Sequence, residues 1–211
     1  MKKLFSVLIP ALLLVGIGVG AYFAFFDHPA EKSPNPTVEI VLSDGSTMRA
    51  ELYPDLAPNT VANFVNLAQS GFYDGLEVYR VVPGVLIQTG DPNGDGTGGA
   101  GYTIKGEFRA NGVRNDLAHT RGVLSMARQS GFDTASSQFF ILEGSYPQYD
   151  GQYAAFGMLT DEESLAALDK IASQPVDSFY VPLSRVYIKS VTVETYGAEY
   201  HVIKNEQEET T

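Results

Sequence analysis

A mainly β domain interrupted by two helices, behind an N-terminal membrane helix, is the fold class this sequence predicts. From Thr37 to about Tyr200, short runs of alternating apolar residues are separated by Gly, Asp and Pro, the pattern of half-buried strands. Within that span only two stretches repeat apolar residues at helical spacing. An uncharged run from Leu4 to Phe26 stands ahead of it all.

Lys2 and Lys3 precede that run and Asp27 closes it, and its length suits a helix through a hydrocarbon layer of roughly 30 Å. The lysines are expected to stay inside and the remainder to face the extracytoplasmic side. Gly18 and Gly20 offer small residues before a cut, so a cleaved signal peptide with a secreted product is the competing reading. The aromatic residues Tyr22, Phe23, Phe25 and Phe26 favour the anchor, since they suit the interfacial end of a span. The segment 1–27 is thus read as signal-anchor, and 28–36 (HPAEKSPNP), with three prolines, as an extended linker.

The folded domain is expected over 37–200. Val38, Ile40, Leu42 and then Met48, Ala50, Leu52 alternate around Ser43-Asp44-Gly45-Ser46, a hairpin with Asp-Gly at its turn. The first helix runs Pro58 to Ser70, with Pro58 in its first turn, Val61, Val65 and Ala68 along one face, and Gly71 as terminator. Further strands are expected at Glu77 to Val82, Val85 to Thr89, Gly122 to Ala127, Gln138 to Leu142, Tyr153 to Met158 and Arg185 to Thr195. Thr160-Asp161-Glu162-Glu163 reads as a capping box opening the second helix, whose Leu165, Leu168 and Ala172 precede Pro175. Residues 201–211 are read as a polar acidic tail.

Composition narrows the chemistry. Fourteen Lys and Arg against 25 Asp and Glu give a net charge of -11, which repels phosphate backbones and makes nucleic acid an unfavoured partner. There is no Cys, so thiolate nucleophiles, Cys-ligated zinc and redox pairs are excluded together. The three histidines, His28, His119 and His201, lack paired metal-ligand spacing. Asp91, Asn93, Asp95 and Gly96 open like a calcium loop, but Pro92 intrudes and Tyr102 stands where a bidentate Glu is required. The glycines from Gly94 to Gly101 lack the Lys-Ser/Thr of a phosphate loop. No cofactor or metal is therefore expected. His119 near Ser125 raises a hydrolase, yet no GxSxG elbow accompanies it, and a local hydrogen-bonding role for His119 is preferred.

One set of blocks remains. Val78 to Asp91 (VYRVVPGVLIQTGD), Gly96 to Gly99 (GTGG), Gly122 to Ala127 (GVLSMA), Ser137 to Ile141 (SQFFI), and Tyr149-Asp150-Gly151 followed by Phe156-Gly157 resemble, in order, the signature segments of the cyclophilins, peptidyl-prolyl cis-trans isomerases. The first helix also fits that family's P-x-T-x-x-N-F. The resemblance spans roughly Pro36 to Glu194 and implies a closed eight-stranded antiparallel barrel capped by two helices. It implies partners that are proline-containing polypeptide clients, and the N-terminal anchor puts their assisted folding on the extracytoplasmic side; a monomer is expected. Arg80 takes the position of the catalytic arginine, acting with Gln88 and Phe140. Val85, Leu86, Phe140 and Tyr149 take the proline-pocket wall, and Gln88, Gln138 and the Ala127-Arg128 backbone take the groups that orient neighbouring amides. Gln148 and Tyr153 complete the substrate-binding set. The best-known pattern is departed from at Tyr79 and Tyr153 (His there), Val85 (Phe), Arg128 (Asn), Gln148 (Trp) and Tyr149 (Leu). Loss of a ring at Val85 motivates the alternative of a non-catalytic proline-segment binder, and loss of the indole N–H at Gln148 implies weak sensitivity to cyclosporin. Gln138 and Phe140 are two apart, as are Leu86 and Gln88, so each pair faces one side of its strand.

Overall fold

The computed structural model describes residues 33–205. The segment expected to form the membrane helix lies outside them, and among the described residues no helix is long and apolar enough to cross a membrane. Eight strands form one antiparallel sheet: β1 (Thr37–Leu42), β2 (Thr47–Leu52), β3 (Arg80–Val82), β4 (Leu86–Thr89), β5 (Val123–Met126), β6 (Phe139–Leu142), β7 (Ala155–Leu159) and β8 (Ile188–Glu194), in the order β3-β4-β6-β5-β7-β2-β1-β8. Helix α1 (Pro58–Gln69) follows β2, and α2 (Glu162–Ala172) follows β7.

Alternation in β1 and β2 is read out directly: Val38, Ile40, Leu42, Met48, Ala50 and Leu52 are buried while the residues between them are half exposed. Gly45 turns the hairpin at φ +84°, a conformation that costs a Cβ-bearing residue roughly 1–2 kcal/mol, while Asp44 accepts the Ser46 N–H at 3.0 Å. The inner face closes over α1, where the fully buried Phe64 ring lies 5.1 Å from Tyr73 and 5.3 Å from both Phe139 and Phe156. Burial of one such ring contributes about 1.5–3 kcal/mol.

The expected closed barrel is corrected: the sheet is open between its edge strands β3 and β8, which share no ladder. The loop between α2 and β8 occupies the free edge of β3, with Tyr180 O accepting the Val81 N–H at 2.9 Å, so that donor is not offered to β8. The gap is crossed upstream of β3 instead, by the single bridge Glu77↔Tyr187 and by Val78 N–H to Val186 O at 2.9 Å. Accordingly the strand expected from Glu77 begins only at Arg80, and that expected from Arg185 begins at Ile188.

Helix α2 is capped by Asp161, not by Thr160. Asp161 accepts the Ser164 N–H at 2.7 Å, while the Thr160 N–H is committed to Arg49 O at 3.0 Å and so extends the sheet. Helix α1 has no local side-chain cap. Its Pro58 has no N–H to satisfy, and the next two donors, Asn59 N–H and Thr60 N–H, go to the buried Glu107 carboxylate at 3.0 and 2.7 Å, with the Thr60 hydroxyl also donating at 2.7 Å. A carboxylate there also meets the positive end of the helix dipole. Glu107→Ala is therefore expected to lower stability by about 1–3 kcal/mol, read as a shift in the urea midpoint, and Glu107→Gln by less because one acceptor oxygen remains. Residues 201–205, placed in the polar tail by composition, are held to the domain: Asn59 exchanges hydrogen bonds with Ile203 at 2.8 and 2.7 Å, and Asn205 N–H donates to Thr103 O at 2.9 Å.

Candidate functional site

Strand register builds the site. Arg80 pairs with Gln88, Gln88 with Phe140, and Phe140 with Ser125, so four residues cross β3, β4, β6 and β5 as one row on the outer face of the sheet. Their inner-facing neighbours Val81, Ile87, Ile141 and Leu124 belong to the main core. The outer row has an apolar cluster of its own: Leu86, Val123, Phe140, Leu142 and Ala155 are buried there, under Val85, Tyr146, Tyr149 and Tyr153. Phe140, Tyr149 and Tyr153 meet edge to face at centroid distances of 5.2 to 6.0 Å.

These rings and Leu86 wall a cavity of about 400 Å³ that also takes in Arg80, Gln88, Asp95, Ala127 and Arg128. A second cavity of about 450 Å³ adjoins it, bounded by Thr97, Gly98, Gly99, Tyr102, Thr103, Gln129, Ser136 and Gln138 and sharing Tyr79, Gln88, Gly96, Ala127 and Arg128 with the first. Of the residues expected at the site, Val85 packs on the outer cluster without lining either cavity. Gln148 is exposed on the short turn Pro147–Tyr149, outside both linings.

A chain of hydrogen bonds fixes the polar side. Arg80 Nη1 donates to Gln88 Oε1 at 3.0 Å, Gln88 Nε2 donates to Gln138 Oε1 at 3.1 Å and to the Tyr79 hydroxyl, and Tyr79 donates to Gln138 Oε1 at 2.5 Å. Gln138 Nε2 in turn donates to the carbonyls of Gly96 and Gly98 at 3.1 and 2.8 Å. Both lone pairs and both N–H groups of the Gln138 carboxamide are thereby used, so its work here is to hold the glycine loop. The Ala127 N–H is committed to Gln138 O at 2.9 Å, so that one donor of the Ala127-Arg128 backbone is not open to a bound peptide. Arg80 keeps donors beyond its single bond to Gln88, and no carboxylate lies within ion-pairing distance of it among the described residues. Burial pushes the Tyr79 phenol well above the usual range, so it remains a neutral donor and acceptor.

Sequence reasoning missed Tyr79 as the hub. Adjacent to Arg80, it is assigned to the opposite face by strand alternation, but it lies just before β3 and is free of the pleat. Asp91, drawn into the calcium-like pattern, is buried and serves its own loop, Oδ1 accepting the Asn93 N–H at 2.8 Å and Oδ2 the Asp95 N–H at 3.1 Å and the Gly96 N–H. Among the described residues no cluster of three metal-ligating side chains occurs.

His119 does meet Ser125, with Nε2 to Oγ at 3.0 Å and Nδ1 to Asp150 Oδ1 at 3.0 Å. The order Ser-His-Asp is that of a hydrolase, but Ser125 is wholly buried and His119 stacks behind Phe140, so no substrate carbonyl reaches the hydroxyl. The imidazole is a strut for the back of Phe140. Burial lowers its pKa, outweighing the raising influence of Asp150. The unfolded chain, with an ordinary His near 6.5, then binds the extra proton first as pH falls. Stability contributed by His119 is full above about pH 6.5 and declines below it, and His119→Gln is expected to flatten the urea midpoint between about pH 7 and 5.

Comparison with known proteins places this geometry. The family model described as cyclophilin type peptidyl-prolyl cis-trans isomerase/CLD matches residues 37–193. Peptidyl-prolyl cis-trans isomerase B of Bacillus subtilis is 50% identical over 120 residues, covering 57% of this chain and 80% of that protein. A peptidyl-prolyl cis-trans isomerase of Synechococcus elongatus is 47% identical over 129 residues, covering 61% and 84%. Among solved structures, a Cryptosporidium parvum cyclophilin type peptidyl-prolyl cis-trans isomerase, crystallised in the presence of the dipeptide Ala-Pro, superposes with a TM-score of 0.66 at 34% identity, covering 75% of this chain and 98% of that one.

Proposed function

From the premise that the chain belongs to the cyclophilin-type peptidyl-prolyl cis-trans isomerases, we propose that it accelerates X-Pro rotation at the row Arg80-Gln88-Phe140 and serves protein folding on the extracytoplasmic face of a membrane. The observation that carries the catalytic assignment is the free donor capacity of Arg80, held by Gln88 at the edge of an aromatic cavity.

Rotation about X-Pro must cross roughly 18–20 kcal/mol of amide resonance, and no covalent bond need form or break. Catalysis is then preferential binding of the twisted amide, each ~1.36 kcal/mol of preference giving tenfold in rate. The proline ring is seated on Leu86, Phe140, Tyr149 and Tyr153. Twisting returns the lone pair to the prolyl nitrogen, and an Arg80 N–H donates to that nitrogen only then, so the bond is stronger in the transition state than in either planar form. A guanidinium suits this because it stays charged and planar inside a half-buried groove. Every side chain of the site comes from one domain of one chain, so a monomer suffices.

The location rests on composition. Leu4 to Phe26 tethers the domain, and the Pro-rich 28–36 spaces it from the bilayer. Protease shaving of intact cells should remove the domain, and carbonate washing should leave the chain in the membrane; a protein released by carbonate overturns the tether. The activity is tested by proline-exchange NMR on a short X-Pro peptide with the compact unit beginning at Pro34. Acceleration at catalytic concentration supports the reading, and binding without acceleration replaces it with a proline-segment binder.

A further inference from the structure

The groove holds a second cation that X-Pro rotation does not use. Arg128 follows β5, and its guanidinium carbon lies 4.8 Å from the Tyr153 ring centroid and 5.3 Å from those of both Phe108 and Phe132. Its Nε donates to Gln152 O at 3.1 Å and its Nη1 to Gln129 O at 2.8 Å and Ser130 O at 3.3 Å. Three rings and three carbonyls thus hold the plane in place, while Nη2 takes part in none of these bonds. Ordering such a long side chain costs little on binding when it is already fixed.

Charge pairing singles it out. In this acidic chain Arg49, Arg109, Arg114, Arg121 and Arg185 each bridge to a carboxylate. Of the described arginines only Arg80 and Arg128 do not, and both line the groove. Asp95 is the one carboxylate on that lining, and its Oδ1 is occupied by the Thr97 N–H at 2.9 Å and hydroxyl at 2.6 Å. Arg128 borders both cavities, so a client with its proline in the first carries its neighbouring residues, about 3.3–3.6 Å apiece, past that guanidinium.

We propose that Arg128 is a specificity residue that selects clients bearing an Asp or Glu side chain within two residues of the proline. This rests on the isomerase reading and names its substrate class. Peptides with one proline, identical except for Glu, Gln or Lys at each of the two positions on either side, are compared by exchange NMR with the full chain and with Arg128→Gln and Arg128→Met, the latter keeping an apolar stem over the rings. At one or more positions Glu is expected to exceed Gln in kcat/KM by roughly three- to tenfold, chiefly through KM, with Lys lowest and the contrast shrinking in high salt. In both variants the Glu/Gln ratio falls to about one. Because the ratio is taken within each protein, any general loss of activity cancels. Equal turnover of Glu and Gln peptides by the native chain, or a preference surviving in both variants, overturns the assignment. Turnover of the Gln peptide tests isomerase activity separately; if it is absent, the same ratios are read from dissociation constants by chemical-shift titration, with the same expectations.

Discussion

Arg80→Ala is expected to lower kcat/KM on X-Pro peptides by about 10²–10³-fold while the domain stays folded, the loss associated with removing one preorganised donor from a site of charge development. The variant should fold because the side chain is only half buried, makes one hydrogen bond within the protein, and leaves no buried carboxylate behind when removed. Gln88 lines the cavity, so water there can replace the guanidinium on its freed Oε1. Arg80→Lys separates charge from shape: a point charge on a flexible stem keeps attraction for the client but not the planar fork, and is expected to recover only a small part of the loss. Exchange NMR gives the rates and circular dichroism the fold. A folded Arg80→Ala protein with native turnover removes Arg80 from the reaction, and with it the part Gln88 plays by orienting Arg80.

The elements readable from sequence are those fixed by local pattern. Each of the eight strands and both helices overlaps the segment that alternation and helical spacing mark, with β3, β7 and β8 starting two or three residues late; β1, β2, α1 and α2 are the plainest because each buries one face and exposes the other. Even β5 and β6, buried on both faces, are announced by apolar runs, unbroken in β6 and interrupted only by Ser125 in β5, though the cover over their outer face comes from Tyr149 and Tyr153, which only the fold brings there. What sequence spacing could not show depends on partners far along the chain. The α1 cap lies at Glu107, forty-eight and forty-seven residues from the donors it serves, and no local cap signal marks it. Thr160 and Asp161 are both competent caps in sequence, and a bond to Arg49 decides between them. The open edge at β3 is set by Tyr180 in a loop with no strand pattern. At the site, resemblance to cyclophilins nominated Arg80, Gln88, Gln138, Phe140 and Tyr153, and the fold assembles them around adjoining cavities. The Tyr79 hub and the rings beneath Arg128 come from residues that follow no shared spacing.

Gly90→Ala is expected to be the most damaging small substitution in the site, at roughly 2–5 kcal/mol of stability together with loss of turnover. Gly90 sits at φ +87°, where a Cβ alone costs about 1–2 kcal/mol. An added Cβ would also stand 2.4 Å from the Ser137 carbonyl oxygen and 3.0 Å from the Gln138 Cα, both backbone atoms that cannot swing aside. Relief requires moving the start of β6 away from the end of β4, at an overpacking cost of about 1–3 kcal/mol. That shift acts on a knot of bonds: the Ser137 hydroxyl donates to Gly90 O at 2.6 Å, and the Tyr73 hydroxyl to Ser137 O at 3.2 Å. Gln138 moves with its backbone, so its bonds from Gln88 and Tyr79 and its hold on the Gly96 and Gly98 carbonyls loosen together. Gln88 then orients Arg80 less well. Turnover is therefore expected to fall more than the unfolded fraction explains, chiefly in kcat, at temperatures where the variant is still folded. Proportional loss of activity and folded population would instead confine Gly90 to a structural role and leave Arg80 independent of the β6 side of the network.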